Sequence, residues 1–300
     1  MQPLGLTGYL APDGFDADLA AELGDVAMSC GRLLFAPGPP RDAAWVANVW
    51  LDPVRFEVAS IADAAKRLRA IQRNWACYSY QLHRRAKLIA DRLPHVSAKP
   101  LRFPSPAPTA PLGSWTLADE NMVIAAAKCT SPFPNGEVRF VEDKEGPPSR
   151  AYLKLWEVLT LLREHPSPGE IVVDLGASPG GWTWALAGLG CRVIAVDKAP
   201  LEPRVAAMPG VEVRRDSAFA LAPADVGRVD WLFSDVVCYP ERLLRLVRAW
   251  IDSGLARRMV CTVKFQGETD MEAMRAFAAL PGSRLLHLHH NKHELTWIRA

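Results

Sequence analysis

One nine-residue segment, Asp174-Leu-Gly-Ala-Ser-Pro-Gly-Gly-Trp182, constrains the fold more than any other. It follows the apolar run Ile171-Val-Val and opens the helical pattern Trp182-Thr-Trp-Ala-Leu-Ala. An apolar strand that runs through a glycine-rich turn into a helix is the first crossover of a parallel α/β sheet. Such sheets bind ligands at the carboxyl ends of their strands. Gly176, Gly180 and Gly181 are expected to turn the chain tightly and to let a ligand approach without an intervening Cβ. The pattern then alternates. Strands are expected at Arg192–Asp197, Val211–Arg214, Asp230–Asp235 and Met259–Lys264, with helices at Glu241–Ile251 and near Met271–Leu280. Pro240 should start the first of these helices. Arg284–His289 and Leu295–Ile298 close the chain as an antiparallel pair. The whole predicts a doubly wound, mostly parallel, Rossmann-like sheet of seven strands ending in an antiparallel hairpin, preceded by a small α+β domain.

Three acids fall at successive strand ends: Asp174, Asp197 and Asp216. Asp197 is placed to accept hydrogen bonds from ribose hydroxyls. The glycine spacing is G-x-x-x-G-G with Pro179 inside it, unlike the G-x-G-x-x-G that seats a pyrophosphate, so a nicotinamide-dependent oxidoreductase is disfavoured. A carboxylate at Asp174 suits a cationic ligand. S-adenosylmethionine carries a sulfonium and an ammonium and no phosphate, and Asp216 could read its adenine amino group. The expected cofactor residues are therefore Asp174, Gly176, Ala177, Ser178, Pro179, Gly180, Gly181, Trp182, Asp197, Asp216 and Asp235. A plainer reading makes Asp174 and Asp216 loop or helix caps.

Four further residues stand out. Lys154 lies on a helix in Ser149-Arg-Ala-Tyr-Leu-Lys-Leu-Trp-Glu157. Asp235 ends Phe233-Ser-Asp, Lys264 ends Thr262-Val-Lys, and Glu294 lies in Asn291-Lys-His-Glu. With these motifs in this order, residues 147–300 resemble the FtsJ/RrmJ-like family of RNA 2′-O-ribose methyltransferases. The resemblance is strongest to its RlmM subgroup, which methylates a cytidine ribose in large-subunit rRNA. It implies a class I methyltransferase fold, S-adenosylmethionine as cofactor, large-subunit rRNA as partner, and Lys154, Asp235, Lys264 and Glu294 as a catalytic tetrad. Lys264 is the general base in this reading. Asp235 orients it, and Glu294 holds Lys154 or the ribose. A ribose hydroxyl must lose its proton as it attacks, and a lysine can accept it only if burial or a second cation lowers its pKa. The alternative is a non-catalytic RNA-binding or ribosome-assembly protein that keeps the fold. A small-molecule or protein methyltransferase is a weaker reading, because such sites rarely need a lysine base for a hydroxyl.

The domain boundary is expected near residue 146, giving domains 1–146 and 147–300, with a Pro-rich connector at 103–113. The subgroup carries an N-terminal RNA-binding region with a THUMP module, and about 146 residues precede the catalytic domain here. In this first part Gly8–Ala11 and Trp45–Trp50 read as strands and Asp16–Leu23 as a helix. Residues 61–92 read as helical with an irregularity at Trp75–Tyr80, and Met122–Ala127 as a strand or short helix. The net charge of +2 announces no polyanionic partner. Within 66–92, however, Lys66, Arg67, Arg69, Arg73, Arg84, Arg85, Lys87 and Arg92 face one acid, Asp91. Basic clusters of this kind neutralise RNA phosphates. The intervening Trp75, Tyr78 and Tyr80 fit a core better than a stacking platform, and Tyr239 could stack on a base but is expected to pack on the helix after it.

Six cysteines without a CxxC pair read as free thiols in a reducing cytosol. His287 and His289 alternate on one face, and with His290 they read as surface or edge-strand residues, so no metal is expected. No apolar run spans a bilayer and the N-terminus does not read as a signal peptide. The expectation is a cytoplasmic protein with an RNA partner, no membrane and no DNA.

Overall fold

The computed structural model describes residues 1–299. The chain forms two compact units. One comprises Met1–Arg102 and Ala107–Arg139, the other Phe103–Pro106 and Phe140–Ala300. The boundary thus falls between residues 139 and 140 instead of at 146. The Pro-rich stretch is divided: Phe103 stacks on Trp156 of the second unit, with ring centroids 5.0 Å apart.

The first unit holds two five-stranded sheets. In one, the order is Gln2–Pro3, Val54–Glu57, Met122–Ala126, Gly113–Asp119, Trp75–Cys77. In the other it is Lys128–Cys129, Asn48–Leu51, Leu6–Leu10, Leu33–Pro37, Met28–Cys30. Helices Ile61–Ile71 and His83–Ala90 bury Ala64, Ala65, Leu68, Ala86 and Ile89 against Trp75, Trp115 and Val123 of the first sheet. Its other face meets Leu10, Phe35 and Trp50 of the second through Ile124 and Ala126. Two expectations are corrected here and one open choice, strand or helix at Met122, is decided. Trp75–Cys77 is a strand paired with Gly113–Trp115, not a helix irregularity, because its three apolar residues complete a sheet edge. Met122–Ala126 is a strand. Only Asn48–Leu51 of the run from Trp45 is extended, because Trp45–Ala47 lie in the turn that enters the strand.

The second unit is a single seven-stranded sheet. Its strands are β1 (Ile171–Leu175), β2 (Arg192–Val196), β3 (Val211–Arg214), β4 (Val229–Ser234), β5 (Ala256–Lys264), β6 (Ser283–Leu286) and β7 (Glu294–Arg299). Their order is β3-β2-β1-β4-β5-β7-β6. The first five are parallel, and β7 inserts antiparallel between β5 and β6. The helices are α1 (Tyr152–Leu162), α2 (Gly181–Gly188), α3 (Pro203–Ala206), α4 (Pro223–Val226), α5 (Pro240–Ser253) and α6 (Met271–Ala278). This is the doubly wound, Rossmann-like architecture that the alternation predicted, down to Pro240 at the first turn of α5. Strands β1 and β4 are buried on both faces, as parallel strands under helices must be. Among the described residues no helix is long and apolar enough to cross a membrane.

The histidine expectation fails for His287 and holds for His289, which is exposed. Strand β6 ends at Leu286, so His287, His289 and His290 lie in the β6–β7 turn, and His287 is buried with its ring nitrogen on the Lys292 carbonyl. Four of the cysteines, Cys30, Cys191, Cys238 and Cys261, are buried, and all six are free thiols.

Candidate active site

Helix α1 buries every residue from Tyr152 to Thr160. A charge on such a helix must be paired, because an isolated buried ion is far too costly. Its two charged residues, Lys154 and Glu157, each meet several partners. The Lys154 ammonium donates to both carboxylate oxygens of Asp235, at 2.7 and 2.9 Å, and to Glu294 Oε1 at 3.0 Å. Three acceptors satisfy its three N–H groups.

Sheet topology brings in the rest. Asp235 is the first residue beyond β4. Lys264 ends β5 and is paired in register with Glu294, the first residue of β7. The Lys264 ammonium donates to the Asp235 backbone carbonyl at 2.6 Å and lies 3.1 Å from Asp235 Oδ1. One carboxylate oxygen therefore faces both lysines. The four side chains are nearly enclosed, and Lys264 is the more open lysine, with 19% side-chain exposure against 10% for Lys154. All four expected residues come together. The refinement is that Asp235 engages Lys154 as closely as Lys264, and that Glu294 holds Lys154.

Glu157 escaped the sequence reading. One turn beyond Lys154, its buried carboxylate accepts from the backbone N–H of His289 at 2.7 Å and of His290 at 3.0 Å, and lies 2.6 Å from His290 Nδ1. It pins the β6–β7 turn that delivers Glu294. The visible signal was a second charge three residues after Lys154 in an otherwise apolar helix.

The glycine-rich loop connects β1 to α2 beside this cluster. Gly176 and Gly180 take positive φ values of 81° and 117°, a region that favours glycine. Their reason differs from the expectation. A Cβ at Gly176 would come within 2.6 Å of the Val236 backbone, and one at Gly180 within 2.9 Å of Val205. The loop needs glycine to pack on its own chain, and the Cβ clashes are with protein. Ala177, Gly180, Gly181 and Trp182 are buried. The Trp182 indole donates to the Ala151 carbonyl at 2.9 Å, so Trp182 ties α2 to the start of α1. Pro179 is exposed. Ser178 donates its backbone N–H to Asp197 at 3.0 Å and its hydroxyl to Pro200.

A crevice of about 180 Å³ opens at these strand ends, lined by Gly176, Asp197, Lys198, Phe219, Val236 and Arg242 among others. Asp197 is where the ribose acceptor was expected. Asp216 is exposed, bonds the Ser217 N–H and does not line the crevice, whereas Ser217, Ala218 and Phe219 do. Phe219 and Arg242 went unnoticed because no spacing rule marks them. Tyr239 overturns its expectation. It is 62% exposed, because Pro240 fixes the helix start and leaves the ring outside the packed face of α5.

Asp174 is 1% exposed. One oxygen accepts from the Thr183 hydroxyl at 2.7 Å, and the other is buried without a partner. Burial lifts its carboxyl from 3.8 to about 7, opposed by the Thr183 bond and reinforced by the charges of Asp235 and Asp197. Asp174 does not line the crevice, but its unpartnered oxygen lies two residues before Gly176, which does, and with Asp197 in the wall this fits a cationic cofactor. The cost to the protein can be measured. The folded chain keeps this proton over a range where the unfolded chain has lost it. The stabilising effect is thus complete below pH 3.8 and disappears as pH rises through about 7. Asp174→Asn cannot ionise. Its thermal midpoint should exceed that of the parent by several degrees at pH 8 and by clearly less at pH 5. An equal difference at both pH values in a melting experiment would refute the assignment.

In the first unit, seven of the eight basic candidates are exposed and Arg85 is half-buried. Arg67 pairs with Asp63 and Lys87 with Asp91, each one helical turn apart. Such exposed pairs contribute little and yield readily to a phosphate. Trp75 and Tyr78 are buried, so they serve the core.

With this geometry in place, comparison with known proteins is informative. Residues 147–277 match the model of the FtsJ-like methyltransferase family. The chain is 42% identical over 172 residues to "Ribosomal RNA large subunit methyltransferase M" of Halorhodospira halophila, covering 55% of this chain and 50% of that protein. Proteins of the same name match from Alkalilimnicola ehrlichii, at 36% over 196 residues covering 60% and 54%, and from Aromatoleum aromaticum, at 38% over 164 residues covering 49% and 44%. The chain thus spans about half the length of these relatives.

Proposed function

We propose that the chain is an S-adenosylmethionine-dependent RNA 2′-O-ribose methyltransferase acting on large-subunit rRNA. The observation that carries this reading is the Asp235 carboxylate shared by Lys154 and Lys264, with Glu294 closing the far side of Lys154. When bound, the cofactor supplies an electrophilic methyl group whose sulfur keeps the electron pair of the broken bond. Asp174, Gly176, Asp197, Phe219 and neighbouring loop residues would hold it.

The chain's own residues manage the proton. All three Lys154 donors are taken by carboxylates, so Lys154 serves to fix Asp235 and Glu294. Lys264 has only the two Asp235 oxygens and is more open, which leaves one position on its nitrogen for the ribose hydroxyl. In this reading Lys264 acts as the neutral amine: its two N–H groups stay on the two Asp235 oxygens, and its lone pair takes the 2′-hydroxyl proton as the oxygen takes the methyl. Positioning the two reactants is the second contribution. The exposed lysines and arginines of Ile61–Ile71 and His83–Ala90 would bind RNA phosphates.

The test is transfer of labelled methyl from S-adenosylmethionine to large-subunit rRNA lacking its native modifications, followed by nucleoside analysis. Label is expected on a ribose 2′-oxygen. Label on a base, or none at all, would overturn the reading.

A further inference from the structure

Beside the cofactor crevice lies a second cavity, of about 440 Å³, between residues 218–223 and the exposed side of α5. Its walls combine apolar surface from Leu246, Ala249 and Trp250 with the guanidinium groups of Arg242 and Arg245. Arg242 also lines the crevice, and its guanidinium sits 3.9 Å from the centre of the Phe219 ring. The Arg242–Phe219 pair is therefore the partition between the two spaces. Arg248 continues the file three residues on, and Arg242, Arg245 and Arg248 are all exposed. Among the described residues none of the three forms an ion pair with a carboxylate. That contrasts with the first unit, where Arg67 and Lys87 have intrahelical partners.

The segment leading into α5 adds a second feature. Immediately after Asp235, Val237 is 75% exposed and Tyr239 is 62% exposed. An exposed aromatic ring offers a face on which a base can stack. Moving along the chain from the cluster, one meets Asp235, an exposed ring, and then unpaired guanidinium groups beside an apolar cavity.

We propose that this cavity and Tyr239 form a binding site for a nucleotide of single-stranded RNA next to the one at the lysine cluster. Its base would lie on the apolar floor, its phosphates on Arg245 and Arg248, and a neighbouring base on Tyr239. The inference rests on the proposed RNA substrate and names how the second unit would hold it. The occupant is RNA because the site pairs aromatic and apolar surface with uncompensated positive charge.

The experiment measures binding of a mixed-sequence single-stranded RNA oligonucleotide to the full chain as a function of salt. Arg245→Ala/Arg248→Ala should weaken binding and flatten the salt dependence, by about 1.4 in the slope of log K against log salt for two lost phosphate contacts. Tyr239→Ala should weaken binding about 5- to 150-fold, the range of a lost base stack. S-adenosylmethionine affinity and the thermal midpoint should be unchanged, because Arg245, Arg248 and Tyr239 are exposed and outside the crevice lining. If the parent methylates and binds RNA while the variants match it in affinity and slope, this inference falls and the proposed function stands. If the parent binds no RNA, both fall. Cytidine monophosphate displacing the oligonucleotide at equal concentration would identify a free-nucleotide site and also overturn the inference.

Discussion

Lys264→Ala is expected to lower methyl transfer by about 100- to 10,000-fold, the usual contribution of a positioned general base. Cofactor affinity should stay within about twofold, because Lys264 does not line the crevice that holds Asp197 and Phe219. The fold should survive. Lys264 leaves the Asp235 carboxylate with Lys154, which still satisfies both of its oxygens at 2.7 and 2.9 Å. Single-turnover methyl transfer with saturating cofactor reads the chemical step directly. A rate within about tenfold of the parent would remove Lys264 as the base and direct attention to Lys154.

Lys154→Met has a different signature. It takes the cation from between Asp235 and Glu294, whose side chains are 16% and 10% exposed; half-buried Asp235 keeps Lys264, but buried Glu294 loses its partner. Breaking a buried pair on one side leaves uncompensated charge and costs about 3–5 kcal/mol. The cost should appear as a lower urea midpoint with little change in slope. Adding Asp235→Asn and Glu294→Gln removes those charges and should restore much of the loss, but not activity. A single Lys154→Met variant within about 0.5 kcal/mol of the parent would show that the carboxylates find other partners or protonate at little cost. The two lysines are thus distinguishable: one should fail in rate with stability kept, the other in both.

Position Asp174 shows the same conflict in another form. The unpartnered oxygen and the raised carboxyl are unfavourable for the protein alone. A buried site held away from its own optimum is a usual mark of function over stability.

The sequence by itself determined the second unit's element order. Apolar strands and amphipathic helices alternate there, and period and polarity are local properties. It also marked Lys154, Asp235, Lys264 and Glu294, through the ordered motifs that carry the resemblance to the FtsJ/RrmJ-like family. What it could not determine was partnership. The Lys264–Glu294 register arises because β7 inserts antiparallel beside β5, a pairing between segments 30 residues apart. Glu157 reaches a turn more than 130 residues away, so no local pattern announces its role. Trp75–Cys77 was misread for a similar reason. Three residues are too few for a period, and their conformation is set by the strand they pair with. Tyr239 was expected to pack on the following helix, yet the helix start at Pro240 turned it outward. Local sequence fixes which backbone each segment can adopt, through sterics and periodicity. Which charge meets which, and which ring is left in water, depends on contacts closed across the chain, and only the tertiary structure decided those.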